Sequence, residues 1–158
     1  MKLIVATNNL GVIGKDGQIP WKCKEDMQHF KKLTIGGLVI LGGNTYRSFG
    51  SKPLPGRWHY VVSNASFEEN DNVVSGSLLE MVKEAFEDAR LFDGEQNIWV
   101  IGGSQIYRQL LPLCEEVHWS HINDDTPGDT TFDLPSDYRG EVFHYYFEPN
   151  GRVTKSAD

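Results

Sequence analysis

Short apolar runs alternate with amphipathic stretches along the whole chain, and this alternation predicts strands separated by helices. Leu3 to Thr7 predicts a first strand, and a glycine-rich loop (Gly11, Gly14, Gly17) carries the chain to Ile19-Pro20-Trp21. Placed at about 100° per residue, Lys22 to Thr34 predicts an amphipathic helix. Cys23, Met27, Phe30, Leu33 and Thr34 share one side, and Lys24, Glu25, Gln28, His29, Lys31 and Lys32 share the other. Leu38 to Leu41 and Ile98 to Ile101 are unbroken apolar runs, as expected of parallel strands covered on both faces. Each ends in a glycine pair, Gly42-Gly43 and Gly102-Gly103, and leads into a helix. The first of these helices is expected near Asn44 to Phe49, and the second runs towards Leu111, where Pro112 ends it.

Tyr60 to Val62 and Val73-Val74 predict two further strands. Ser77-Leu78-Leu79-Glu80 is a capping box, opening a helix that runs to about Phe92 and stops at Asp93-Gly94. Glu116 to Ile122 and Glu141 to Phe147 predict late strands, with Asn150-Gly151 as a hairpin signal. Strands separated by helices imply an α/β sandwich around a mainly parallel sheet, and the terminal hairpin implies an antiparallel C-terminal edge.

At 158 residues, 39% of them hydrophobic, the chain is expected to form one domain spanning 1–158. A net charge of -7 argues against nucleic acid as partner, because phosphates demand a basic patch. Lys22, Lys24, Lys31 and Lys32 read as the solvated face of their helix, with a possible second use in drawing an anionic small molecule. Cys23 and Cys114 form no redox or metal motif, so a reduced, cytoplasmic protein is expected. The N-terminal apolar run is too short for a signal peptide, and no stretch approaches the ~20 apolar residues of a membrane helix.

The candidate chemistry begins at Asp26, a carboxylate written into the apolar sector one turn before Phe30. Desolvation there raises a carboxyl pKa and suits the group to hold or deliver a proton. The competing reading is an ordinary first-turn acid favoured by the helix dipole. The two strand-Gly-Gly-helix turns let an anion approach the backbone closely, and two of them suit an extended or multiply phosphorylated ligand. Tight strand–helix packing explains a single such turn equally well. The loop from Asn8 to Trp21 reads either as a surface connection or as a lid that excludes water. Arg57 follows Pro53-Leu54-Pro55-Gly56, which fixes its position and suits capture of a carboxylate. Taken alone, it is better read as a surface arginine. His29, His59, His118, His121 and His144 lack ligand spacing, so no metal is expected, and no nucleophile motif is present.

Taken together, these segments resemble dihydrofolate reductase. The resemblance is carried by Gly11-Val12-Ile13-Gly14, Ile19-Pro20-Trp21, Asp26 with Phe30, Leu38 to Gly42, and Thr45. It continues through Pro53 to Arg57, Val100 to Gly103 with Ile106-Tyr107, and Gly128-Asp129-Thr130 with Phe132. It implies a three-layer sandwich with about four helices, reducing 7,8-dihydrofolate to 5,6,7,8-tetrahydrofolate for one-carbon metabolism and thymidylate synthesis. Asp26 would be the ionisable group in the pterin pocket, Ser120 the hydroxyl in its hydrogen-bond network, and Trp21 the aromatic that holds its water. Ile4, Val5, Met27, Phe30, Phe49, Leu54 and Ile101 would line the pterin and aminobenzoyl pocket, and Arg57 would take the glutamate α-carboxylate. Ala6, Ile13, Gly42, Gly43, Asn44, Thr45, Ser63, Asn64, Gly102, Gly103, Ser104, Gln105, Ile106, Tyr107 and Thr130 would hold the nicotinamide dinucleotide. The small-molecule substrate is dihydrofolate, and a cytoplasmic monomer is expected.

Three features depart from the pattern of the family it resembles. Gly43, Asn64 and Gln105 stand where family members carry cations for the 2′-phosphate of NADPH, so a weakened preference over NADH is expected, with Arg47 or His59 as possible replacements. Little sequence follows Asn150-Gly151, so the last edge strand should be short or absent. Ile19 replaces the methionine or leucine often found in the lid, a conservative change. Two other functions remain open on the same scaffold: a pyrimidine reductase of riboflavin synthesis, and a folate- or nucleotide-binding subunit without turnover. Asp26, Trp21 and Arg57 together favour a pterin-glutamate over a pyrimidine, and the intact Asp26 and glycine pairs favour turnover.

Overall fold

Leu38, Val39, Ile40 and Leu41 are completely buried, as a continuous apolar run requires when helices cover both faces of its sheet. The computed structural model describes residues 1–65, 67, 70, 72–91, 94–149 and 152–153, the last two by backbone alone. Along the chain come β1 (Lys2–Thr7), β2 (Val12–Gly14), α1 (Lys24–Thr34), β3 (Leu38–Gly42), α2 (Gly43–Ser48), β4 (Trp58–Val62) and β5 (Val73–Gly76). There follow α3 (Leu78–Ala89), β6 (Ile98–Gly102), α4 (Ser104–Leu110), β7 (Glu116–Ile122), β8 (Thr130–Thr131), β9 (Glu141–Glu148) and β10 (Arg152–Val153). Short 3₁₀ turns precede β6 and follow α4; the second carries the chain through Pro112 to Leu113.

The main sheet has eight strands in the order β10-β9-β7-β1-β6-β3-β4-β5. Every pairing in it is parallel except β9 with β10. The antiparallel C-terminal edge is present: among the described residues, Arg152 and Val153 of β10 pair with Glu148 and Phe147. Alternation along the strands sorts side chains into two layers. Leu3, Val5, Leu38, Ile40, Ile98 and Val100 pack with Met81 and Ala85 of α3 and with Ile106 and Leu110 of α4. Ile4, Val39, Leu41, Trp99 and Ile101 face the other way, onto Phe30 and Leu33 of α1 and Tyr46 of α2. Each fully buried aliphatic side chain here contributes roughly 1.5–3 kcal/mol relative to exposure. The result is the expected three-layer sandwich with four α-helices.

The helix α3 opens with the expected capping box: Glu80 N–H donates to Ser77 Oγ at 3.2 Å, and Ser77 N–H donates to Glu80 Oε1 at 3.0 Å. It ends at Ala89 rather than near Phe92, because its buried stripe is Met81, Ala85 and Ala89, at every fourth residue. Leu91, two positions further, points away and is 79% exposed. Of the expected stop at Asp93-Gly94, Gly94 is described, with φ +87°, while Asp93 and the Asn150-Gly151 turn lie outside the described residues.

Two residues of α1 depart from their expected faces. His29, placed on the polar side, packs its ring 4.1 Å from Tyr145 and 5.5 Å from Phe147. The helix also leans on β9, so its buried stripe is wider than its apolar residues suggest. Met27, placed on the apolar side, is 70% exposed. It stands about 100° round the helix from Asp26, at the border of the stripe.

Two strands were not expected. β2 and β8 pair antiparallel, Val12 with Thr131 and Gly14 with Thr130, tying the first loop to the Gly128-Asp129-Thr130 loop. Cys23 and Cys114 are both buried thiols, and their Sγ atoms donate to the Glu148 and Leu110 carbonyls, each at 3.3 Å. Among the described residues no helix is long and apolar enough to cross a membrane.

Candidate active site

In a parallel α/β sheet, ligands gather at the carboxyl ends of the strands, where Asp26, Ser120 and the two glycine pairs lie, while Arg57, directly before β4, stands towards the amino ends. Asp26 lies in the first turn of α1 beside Ser120 of β7, whose hydroxyl is buried and hydrogen-bonds the carboxyl. Ser120 is in register with Ala6, which places it at the end of β1. Burial pushes the Asp26 pKa above the usual carboxylate range, and the Ser120 bond pulls it part of the way back. Its own burial, and after that the Asp26 charge, raise the pKa of Tyr107. Tyr107 Oη donates to the Ile4 carbonyl at 2.8 Å, so α4 is pinned to β1 beside Asp26.

On the α1 face, Ile4 and Ile101 share a cluster with Phe30, Phe49 and Leu54, an apolar floor that runs from Asp26 towards Arg57. Val5 does not join it; its side chain points into the opposite layer, with α3 and α4. Met27 stands on the rim. Arg57 is buried rather than a surface side chain, only 4% exposed. Its Nη1 donates to Thr34 Oγ1 at 3.1 Å and its Nε to the Pro55 carbonyl at 3.0 Å, and its guanidinium lies 5.8 Å over Phe30. Burial lowers its pKa from the ordinary arginine value. Thr34 is a positioning residue that sequence reasoning passed over. Its signal was a hydroxyl on the buried side of the helix.

Trp21 is buried with Cys23, Ile122 and Phe147, against Ala6 and Tyr145. The lid loop before it is tied down: Lys15 and Gln18 exchange backbone hydrogen bonds at 2.8 and 3.0 Å round Asp16-Gly17. Asp16 N–H donates to Asp129 Oδ2 at 2.9 Å, and Asn8 Oδ1 accepts from the N–H groups of Leu10 and Val12, each at 3.0 Å. Ile19 stays exposed at the tip. Asn8 and Asp129 thus shape the loop; no motif singles out Asn8, and Asp129 is marked only within Gly128-Asp129-Thr130.

The two glycine pairs form neighbouring cradles at the ends of β6 and β3. A Cβ on Gly102, where φ is +120°, would sit 3.1 Å from Tyr107 Oη. One on Gly42 would meet Ile106 Cγ1 at 3.3 Å, and one on Gly103 would meet Thr45 Oγ1 at 3.3 Å. The Gly102–Gly103 peptide is cis. Thr45, Ser104 and Thr130 are half-buried along this line, with Ile13 packed nearby, while Asn44, Asn64 and Gln105 are exposed. Half-buried backbone at Gly42 and Gly103, between two such turns, fits the pyrophosphate of a dinucleotide. A separate groove of about 440 Å³, lined by Lys2, Lys32, Trp99 and His118 among others, opens at the amino ends of β1 and β6 and contains none of these groups. The carboxylate and the cradles, not the volume, mark the site.

The family profile described as dihydrofolate reductase matches residues 1–150. The chain belongs to the dihydrofolate reductase family. The dihydrofolate reductase of Mycobacterium leprae is 43% identical over 115 residues, covering 71% of this chain and 66% of that protein. That of Mycobacterium tuberculosis is 34% identical over 156 residues, covering 94% and 90%. Among solved structures, dihydrofolate reductase from Enterococcus faecalis, in complex with NADP(H) and RAB-propyl, superposes with a TM-score of 0.72 at 31% identity, covering 85% of this chain and 77% of that one. Dihydrofolate reductases are oxidoreductases that reduce dihydrofolate to tetrahydrofolate with a nicotinamide cofactor, feeding one-carbon metabolism, and this chain is an oxidoreductase of that kind.

Proposed function

We propose that the chain reduces 7,8-dihydrofolate at the cleft between α1 and the carboxyl ends of β1, β6 and β3, with Asp26 as its one ionisable catalytic group. The observation that carries this reading is Asp26 itself: a desolvated carboxyl, bonded to Ser120, at the end of the apolar floor that leads to Arg57. An acid so placed holds the pterin's ring N–H and exocyclic amine and favours protonation of the ring nitrogen beside the carbon that is reduced. Ser120 keeps the carboxyl oriented, and Trp21 closes the site against bulk water beside Ala6.

Phe30, Phe49 and Leu54 hold the aminobenzoyl ring by apolar contact, and Arg57 takes the glutamate α-carboxylate with the N–H groups that Thr34 and Pro55 do not use. The bound reduced nicotinamide supplies the hydride. The residues of the two cradles fix its angle of approach, and orientation accounts for much of the acceleration in such a reaction. Of the two nicotinamide dinucleotides we take NADPH, as in the Enterococcus faecalis relative. The chain is read as a cytoplasmic monomer, since two buried thiols outside any disulfide suit a reducing compartment.

The test is the loss of reduced-cofactor absorbance with dihydrofolate present, with NADPH and NADH run side by side. Turnover that disappears in Asp26→Asn supports the reading. Tight dihydrofolate binding with no turnover by the native chain would replace it with a binding function.

A further inference from the structure

We propose that Arg47, acting with Ser63, is the cation that makes this chain select NADPH over NADH, in place of a side chain at Gly43. The proposal rests on the function assigned above and concerns the end of the same groove furthest from Asp26.

Strand order locates that end. Moving away from Asp26, the sheet runs β1, β6, β3, β4. At ~4.8 Å per strand the end of β4 lies ~14 Å from the end of β1. A dinucleotide whose reacting ring lies at β1, and whose backbone crosses the cradles of β6 and β3, sets its second nucleoside over the ends of β3 and β4. There Gly42 is paired with Val62, and Ser63 follows directly.

The space beside Gly43 is closed to a side chain of its own. A Cβ on Gly43 would stand 3.1 Å from Ser63 Oγ and 3.2 Å from Phe67 Cζ. Arg47 reaches the same place from one turn further along α2, because side chains four residues apart share a helix face and lean towards its N-terminus. Its guanidinium carbon lies 5.0 Å over the Phe67 ring, and its Nη1 donates to Asn44 Oδ1 at 2.9 Å. A stacked, hydrogen-bonded arginine is pre-organised, and most of its five N–H donors are left for a ligand. Among the described residues it makes no ion pair. Ser63 Oγ accepts from Ala65 N–H at 3.0 Å, which leaves its own proton to donate. His59, the other candidate, is buried: its Nε2 accepts from Leu54 N–H and its Nδ1 faces the Asn72 carbonyl.

A guanidinium stacked on Phe67 and the Ser63 hydroxyl both border Gly43, and an arginine beside a hydroxyl suits a phosphate monoester on a ribose. NADPH and NADH differ only by that 2′-phosphate, so any preference is the free energy of this contact.

The experiment is equilibrium binding of NADPH and NADH, followed by tryptophan fluorescence, to the native chain, Arg47→Gln and Arg47→Lys. The native chain should bind NADPH more tightly than NADH, and raised salt should weaken NADPH alone. Arg47→Gln should weaken NADPH by roughly tenfold to a hundredfold, the worth of a charge-assisted hydrogen bond, and leave the NADH Kd within about twofold. Arg47→Lys should retain part of the difference. Equal weakening of both cofactors, or no effect on either, would overturn the assignment. If the native chain bound neither cofactor, the function proposed above would fall first and this inference with it. Because the salt response is read on the native chain, it holds even if a variant fails to fold.

Discussion

Arg57 Nη1 donates to Thr34 Oγ1 at 3.1 Å, joining the segment before β4 to the last turn of α1. Thr34 completes the relay by donating to the Phe30 carbonyl at 2.8 Å, so the guanidinium is held by one helix hydroxyl, one loop carbonyl and one aromatic face. Little rotamer freedom remains to be lost when a carboxylate arrives.

Arg57→Lys should therefore act on substrate binding more than on chemistry. Lysine keeps the charge but loses the planar fork that Thr34 and Pro55 orient. The KM for dihydrofolate should rise roughly tenfold to a hundredfold, with a smaller change in kcat. A pterin without the glutamate tail is the control. If the variant handled that compound just as badly, Arg57 would be a packing residue and not the tail's partner.

Asp26→Asn should lower hydride transfer at neutral pH by about 10²- to 10⁴-fold, the range for a positioned acid or base. Activity should partly recover in acid, where the substrate protonates without help. The same substitution should raise stability. Burial lifts the Asp26 pKa, so between the unfolded value near 3.8 and the higher folded value the folded state holds a proton the unfolded chain has released. Stability contributed by this group therefore falls as pH rises through that window and stays low above it. Melting curves should show Asp26→Asn above the native chain at pH 7 and converging with it in acid. A variant that melted lower at pH 7 would contradict the assigned burial.

Gly102→Ala places a methyl group 3.1 Å from Tyr107 Oη at a φ of +120°. The strain alone costs about 1–3 kcal/mol, and the displaced tyrosine loosens its bond to Ile4. Gly36→Ala, at φ +80° but facing open space, separates the two effects. Chemical denaturation should show the larger loss at Gly102, together with weakened cofactor binding found only there.

Ser77→Ala removes one side of the capping box on α3, far from the cleft. It should cost about 1 kcal/mol and leave the kinetics alone. A change in KM would mean that α3 communicates with the site by a route the contacts do not suggest.

Wherever one period dominates, the sequence could be read. The unbroken apolar runs became β3 and β6, both glycine pairs sit at strand ends, and Asp26 is buried on the side its helix pattern implied. The misses share a cause: partners distant in the chain. β2 and β8 are three and two residues long, too short to show alternation, and exist because their loops meet. His29 is buried by Tyr145, more than a hundred residues away. Arg57 was better read as a surface side chain because its burial depends on Thr34 and Phe30 of another element. Val5 follows from strand alternation alone: with Ile4 and Ile101 towards α1, it had to face the opposite layer.

All strands of the main sheet but the last run in one direction, so the chain exits every parallel strand at the same rim. Folding and chemistry are thereby assigned to separate ends of the molecule. A library of random substitutions should divide accordingly: mid-strand changes deplete soluble protein, changes just past the strand ends leave soluble but inactive protein, and few do both. Such a chain can acquire new ligand preferences at its rim while the stability that supports them stays untouched.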